Sequence, residues 1–232
     1  MDTLISHNQP TFLKVRIHVD GVVDVNEFVD LIKHRKKSCL LFKDDFEKAY
    51  DSKRWSFLDY MLSRFVFNVK WRSWIRVCVF FNNVVVLVNC CPTPEISIHS
   101  VLKKGDLLAP FLFLLVVEGL SGLISREVDL NLFSGVRVGS FDLVVSHLQY
   151  VDDTAILADD SIDNLWIIKA ILCGFELASG FRVNFAKSSL IGVKSDQDFL
   201  DLVCEFLHLK QESLPFQYPG LPVGANPHYE AT

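Results

Sequence analysis

An α+β fold built on an antiparallel sheet is what the sequence predicts, and three observations carry that expectation. Half of the 232 residues are apolar and 12% are aromatic, a core-forming balance that excludes a disordered chain or a coiled coil. Helical and strand-like patterns mix without a strand–helix–strand rhythm, which argues against a parallel sheet. Two apolar runs, 144–150 and 154–158, flank Val151, Asp152 and Asp153 and read as a hairpin with carboxylates at its tip.

Five helices follow from spacing. Val25, Phe28, Val29 and Ile32 recur at helical intervals behind Asp24 and Glu27, which have capping-box spacing. Trp55, Leu58, Leu62 and Phe65 form one face of a second helix, with Asp51 or Ser52 as its N-cap. Trp71, Trp74, Ile75 and Cys78 mark a third. Residues 110–126 are apolar almost all round, as a buried helix would be. Leu165, Ile168, Leu172 and Phe175 mark a fifth, opened near Asp160 and Ser161 and closed by Gly180. Among the strands, 38–42 is a short apolar run leading into Asp44 and Asp45. Residues 84–88 are β-branched and face 95–101 across a turn at 90–94.

Carboxylates outnumber Lys and Arg by 28 to 23, giving a net charge of −5. A chain that relied on general phosphate attraction would be basic, so any nucleic-acid role rests on a local patch. Cys39, Cys78, Cys90, Cys91, Cys173 and Cys204 form neither a CxxC pair nor a zinc-finger spacing, and the N-terminus lacks a secretory layout. Reduced, mostly buried thiols in an intracellular protein are expected. The apolar run 107–124 is broken by Pro110, Glu118 and two glycines, and 74–91 by Arg76, Asn82 and Asn83. Neither supplies the roughly 20 clean apolar residues of a membrane span.

Two apolar strands that end in carboxylates suggest a site for a hard divalent cation, which takes carboxylate oxygens together with substrate phosphates. Two such ions about 3.5–4 Å apart activate an attacking hydroxyl and stabilise a leaving oxygen in phosphoryl transfer. Paired aspartates are also common in turns, and Asp159 and Asp160 read as a helix cap. On spacing alone both readings stand.

The segment FKDDFEKAYD at 42–51 and the tetrapeptide YVDD at 150–153, in this order, resemble reverse transcriptases, in wording closest to plant LINE-type (non-LTR) retrotransposons. Supporting strings are LKKGDLLAPFLFLLVVEGL, SHLQYVDDTAILA, ASGFRVNFAKSSLIGV and YPGLPVGANP. The resemblance implies a right-hand polymerase palm, an antiparallel sheet backed by helices, with partial fingers and no complete thumb. It divides the chain into a partial fingers segment at 1–38, a palm with inserted finger elements at 39–195 and a primer-grip-like segment at 196–232.

By the same resemblance, Asp45, Asp152 and Asp153 would hold two Mg²⁺ ions, or Mn²⁺, with the backbone carbonyl of Phe46 assisting. Tyr50 matches an aromatic gate against a ribose 2′-hydroxyl; read alone it is a core aromatic. Lys187 matches the lysine that assists the pyrophosphate leaving group; read alone it is a solvated surface charge. Lys104 and Gly105 fall in the loop against the incoming nucleotide. Tyr218, Gly220 and Leu221 match the primer grip, and read alone are a Pro-Gly turn. The implied partners are an RNA template, a DNA primer and deoxynucleoside triphosphates, with no membrane partner, and the family implies the nucleus. The basic stretch 33–37 either touches a backbone phosphate or complements a helix C-terminus.

The loop reads VLKKGDLLAP where the family has G-L-R-Q-G-D-P-L-S-P, so Val101, Lys104, Leu107 and Ala109 depart from it. Asp44 stands where the family prefers an aliphatic residue, and its charge either shifts a carboxyl pKa or points to solvent. With the finger motifs and thumb expected to be missing, the chain reads as a truncated, partly degenerate copy. The competing expectations are a polymerase palm, an inactive remnant that binds nucleic acid weakly at most, and an unrelated two-metal phosphodiesterase.

Overall fold

The computed structural model describes residues 20–35, 38–47, 54–80, 82–98, 108–138, 143–150, 153–218 and 221–224. Helix α1 (Asp20–Arg35) leads into strand β1 (Cys39–Asp44) and the short β2 (Phe46–Glu47). Helices α2 (Trp55–Arg64) and α3 (Val69–Phe80) follow, then β3 (Asn82–Val84), β4 (Leu87–Val88), β5 (Cys91–Pro92) and β6 (Ile96–Ile98). Helix α4 (Ala109–Asp129) precedes β7 (Val136–Val138), β8 (Leu143–Val145), β9 (His147–Tyr150) and β10 (Asp153–Asp159). The chain continues through α5 (Ile162–Ser179), β11 (Arg182–Val183), β12 (Ser189–Val193), α6 (Gln197–Leu207), β13 (Lys210–Glu212), β14 (Phe216–Tyr218) and β15 (Leu221–Val223).

The main sheet has five strands in the order β13-β12-β1-β10-β9. All pairings in it are antiparallel except β12 with β13, so the expected α+β class with an antiparallel sheet is observed. Strand β1 lies at the centre, and its alternation sorts the core into two layers. Leu40 and Phe42 face one cluster with residues of α2, α4, α5 and α6; Cys39 and Leu41 face a second with Val25, Phe28, Val29 and Ile32 of α1 and with Phe216, Tyr218 and Val223. Each such fully buried side chain contributes roughly 1.5–3 kcal/mol relative to exposure.

Helix α5 follows its sequence signals closely. Ser161 caps it, its hydroxyl accepting from the Asn164 N–H at 3.2 Å, and Gly180 ends it in the left-handed region at φ 80°. The cap is therefore Ser161 rather than Asp159 or Asp160. Helix α4 carries ten buried residues, in keeping with its apolar circumference. Gly192 lets α6 approach the sheet, since a Cβ there would lie 2.5 Å from Leu200 Cδ1.

Several expectations need correction. Helix α1 already runs from Asp20, so Asp24 lies inside it and opens no capping box. The N-cap of α2 is Arg54, with no side-chain cap bond; Asp51 and Ser52 lie outside the described residues. The inward face of α3 is Trp71, Ile75 and Val79, whereas Trp74 is 57% exposed and Cys78 is exposed as well. Trp71 turns inward because it stacks on Phe67, with ring centroids 4.6 Å apart. The cysteines are free, but only Cys39 is buried, Cys204 is intermediate, and Cys78, Cys90, Cys91 and Cys173 are exposed. Helix α6 was not anticipated, although Leu200, Val203 and Leu207 carry its buried face.

Of the expected pairing between 84–88 and 95–101, Val84 with Ile96 is observed, in the β3–β6 ladder; Leu87 and Val88 pair instead with Pro92 and Cys91, inside the expected turn, and that β4–β5 ladder closes at Asn89 and Cys90, both with positive φ. The run 144–150 divides at Ser146. Its first part is β8, paired with β7, and its second is β9, paired with β10. Lys33, in the last turn of α1, donates to the Gly224 carbonyl at 3.3 Å, while Lys36 and Lys37 lie outside the described residues. Among the described residues, no helix is long and apolar enough to cross a membrane.

Candidate active site

Register brings the two acidic segments together. Asp44 pairs with Thr154 across β1 and β10, so Asp45, just past the end of β1, and Asp153, the first residue of β10, lie at the adjoining ends of the two strands. Asp153 in turn pairs with Tyr150, and Val151 and Asp152, outside the described residues, fall between those paired ends. Alternation assigns Asp45 and Asp153 to the face of Leu41, Ala155 and Leu157, the one covered further down by α1 and the β14–β15 hairpin.

Asp45 itself belongs to neither ladder: β1 stops at Asp44 and β2 resumes at Phe46. Its backbone is held instead by the turn 184–188. The Asn184 N–H donates to the Asp45 carbonyl at 2.7 Å, and the Asp45 N–H donates to Ser188 Oγ at 3.2 Å. The same turn carries Lys187, whose Nζ lies 3.7 Å from Asp45 Oδ2. Phe46 then anchors the strand end, its ring buried against Phe175 and Phe181 at centroid distances of 6.0 Å.

Beneath this acidic end runs a buried polar row. Thr154 pairs with both Asp44 and Gln149, and Ser188 lies one step before β12 and the Lys43–Ser189 pair, so Ser188 at the end of the turn lines up with Asp44, Thr154 and Gln149 of three neighbouring strands. All four are buried to 1% exposure or less. Of the two alternatives for Asp44, pointing to solvent does not occur, since the side chain is buried; that burial, with Asp45 and Asp153 adding to it, pushes its carboxyl up to about 8, against the hydrogen bond from Ser188. Asp44 Oδ2 and Thr154 Oγ1 are buried with no hydrogen-bond partner among the described residues.

Tyr218 sits under the same face at 1% exposure, its hydroxyl donating to the Leu148 carbonyl at 3.4 Å. Burial pushes its phenol well above the usual tyrosine range, and Asp153 and Tyr150 push in the same direction. Lys43 Nζ donates to the Gln217 carbonyl at 2.8 Å, a second tie from the sheet to the hairpin. Leu221 lies in β15. Tyr50, Lys104, Gly105 and Gly220 lie outside the described residues, as do Val101 and Leu107.

Asp45, Asp153 and Lys187 are thus brought together, and Tyr218 lies below them. Sequence reasoning missed Ser188, Asn184 and Thr154. The first two stand in the string quoted for Lys187, but only tertiary structure brings them to Asp45. Two carboxylates on one face, with a shared negative potential and only oxygen donors, suit a hard divalent cation. Among the described residues, no group of three or more His, Cys, Asp or Glu side chains could hold a metal ion.

The family model described as "Reverse transcriptase (RNA-dependent DNA polymerase)" matches residues 1–223. An uncharacterized mitochondrial protein of Arabidopsis thaliana is 34% identical over 79 residues, covering 34% of this chain and 63% of that protein. Telomerase from Candida tropicalis in its apo form, truncated from the C-terminal domain, matches 77% of this chain and 35% of that one, with a TM-score of 0.50 and 17% identity. Telomerase from the same organism with a fragment of telomeric RNA matches 75% and 29%, with a TM-score of 0.50 and 15% identity. The chain thus spans less than two thirds of each of these relatives, and the two structural likenesses establish its palm-like α+β fold. With a family model matched along nearly its whole length, the chain belongs to the reverse transcriptase (RNA-dependent DNA polymerase) family.

Proposed function

We propose that this chain is the palm of an RNA-directed DNA polymerase of the non-LTR, LINE type, extending a DNA primer on an RNA template. The observation that carries this reading is that Asp45 and Asp153 lie at the adjoining ends of β1 and β10, with Lys187 3.7 Å from Asp45. Asp45, Asp152 and Asp153, with the Phe46 carbonyl, would hold two Mg²⁺ or Mn²⁺ ions. The chemistry such ions supply when bound is activation of the primer hydroxyl and neutralisation of the charge on the departing oxygen.

The chain's own residues do the rest. The end of β10 holds Asp153 and the turn 184–188 holds the backbone of Asp45, so the carboxylates are positioned before the reaction. Lys187, paired with Asp45, supplies a cation and a proton to the pyrophosphate oxygen. Tyr50 excludes a ribose 2′-hydroxyl, and Lys104 with Gly105 backs the incoming deoxynucleotide. Tyr218, Gly220 and Leu221 would seat the primer end.

A second reading is favoured by one specific observation. Asp44 places a buried carboxyl with an unpartnered oxygen directly behind the site. That is a burden an inactive remnant would tolerate. Primer extension on an RNA template with Mg²⁺ or Mn²⁺ separates the two. Extension is expected from the wild-type chain, and loss of at least about 100-fold from Asp152→Asn. A folded wild-type sample that adds no nucleotide overturns the polymerase reading in favour of the remnant.

A further inference from the structure

The break between β1 and β2 leaves Asp45 without a ladder partner on either side of its backbone. A part-buried backbone group without a partner is costly, so what satisfies it also fixes it. Both partners come from the turn 184–188. That turn is tight: the N–H groups of Lys187 and Ser188 donate to the Asn184 carbonyl at 2.9 and 2.8 Å, and the Ser188 hydroxyl donates to the same oxygen at 2.9 Å. The one Ser188 hydroxyl proton is shared between that carbonyl and Asp44 Oδ1, 3.4 Å away, while Ser188 Oγ accepts from the Asp45 N–H at 3.2 Å. Ser188 is fully buried, so no water replaces the hydroxyl cheaply.

We propose that Ser188 is a positioning residue, its hydroxyl clamping the Asp45 backbone so that the carboxylate keeps the orientation a divalent ion needs. This inference rests on the polymerase reading of the site. One small hydroxyl does what an apolar side chain of the same size cannot, because it must accept from one chain segment while donating to another. The turn also carries Lys187, so the carboxylate's backbone and the cation beside it move as one piece. Supports of this kind alter metal affinity by about 10–100-fold when removed.

The test pairs two readouts on the same chain: Mn²⁺ affinity followed by electron paramagnetic resonance, and hydrogen exchange of the Asp45 amide. Asp45→Asn defines which Mn²⁺ binding belongs to the site. Ser188→Ala is expected to weaken that binding about 10-fold or more and to speed Asp45 exchange. Ser188→Thr, which keeps the hydroxyl, is expected to restore both. If the alanine variant does not fold, Ser188→Cys, with its weaker donor and acceptor, should bind Mn²⁺ less tightly than wild type. Wild-type Mn²⁺ affinity in the alanine or cysteine variant overturns the positioning role and leaves the polymerase reading standing. Mn²⁺ binding that Asp45→Asn does not alter overturns the polymerase reading, and the positioning role with it.

Discussion

The buried polar row continues past Gln149 to Ser121, His147 and Ser146, and its two halves differ in one respect. At the β9 end, His147, Ser121, Ser146 and Gln149 satisfy one another. Ser121 Oγ lies 2.7 Å from His147 Nε2, Ser146 Oγ lies 2.9 Å from His147 Nδ1, and Gln149 accepts from Ser121 at 3.2 Å. At the β1 end, Asp44 Oδ2 and Thr154 Oγ1 are buried without partners among the described residues. A closed polar network stiffens a core, whereas an open one destabilises it. The open half is the one that lies under Asp45 and Asp153. Unfavourable burial is thus concentrated where charge is gathered, and the rest of the sheet holds that arrangement in place.

The largest effect is expected from breaking the closed half. His147→Ala should destabilise the fold by about 2–4 kcal/mol, because it opens a cavity and strips two buried hydroxyls of a partner. A urea melt that moves by less than about 1 kcal/mol would show that the network contributes little.

Acid probes the same half. Burial lowers the His147 pKa from 6.5 to about 4, so between those values the unfolded chain binds the extra proton. Stability from this group is complete above pH 6.5 and is lost as pH falls toward 4, by an amount on the order of 3 kcal/mol at most. The difference between wild type and His147→Gln, melted at a series of pH values, isolates it. A difference that stays flat from pH 7 to 4 contradicts the assignment.

On the open half the sign reverses. Asp44→Leu removes a buried carboxyl with an unpartnered oxygen and should stabilise the fold by about 1–3 kcal/mol at neutral pH. A lower melting temperature would mean that the bond from Ser188 outweighs the burial. The smallest effect is expected at the rim. Lys187 is 71% exposed and Asp45 33%, so Lys187→Ala should change stability by less than about 0.5 kcal/mol in a urea melt. A larger loss would make the ion pair structural.

Much of this was legible in the sequence, for reasons that differ by element. Helix α5 announced itself because its cap, its stripe and its glycine all agree locally. The meeting of 44–45 with 153 was legible only through the resemblance, because nothing in spacing alone pairs residues so far apart. Helical spacing places both Trp71 and Trp74 on the third helix, and only the stacking of Trp71 on Phe67 decides which of the two turns inward. Asp44 gave no local sign of its depth, since an acidic pair at a strand end reads equally well as solvated. Ser188 and Thr154 are small polar residues whose importance comes entirely from what the register sets beside them.

Strand β10 carries an aspartate at each end, Asp153 at the acidic site and Asp159 at the far end, where its backbone N–H donates to Ser134. The most direct measurement is therefore primer extension with the same substitution made at both ends of one strand. The account predicts that Asp153→Asn lowers extension by about 100-fold or more while Asp159→Asn extends like wild type. Equal activity in the two variants would contradict it.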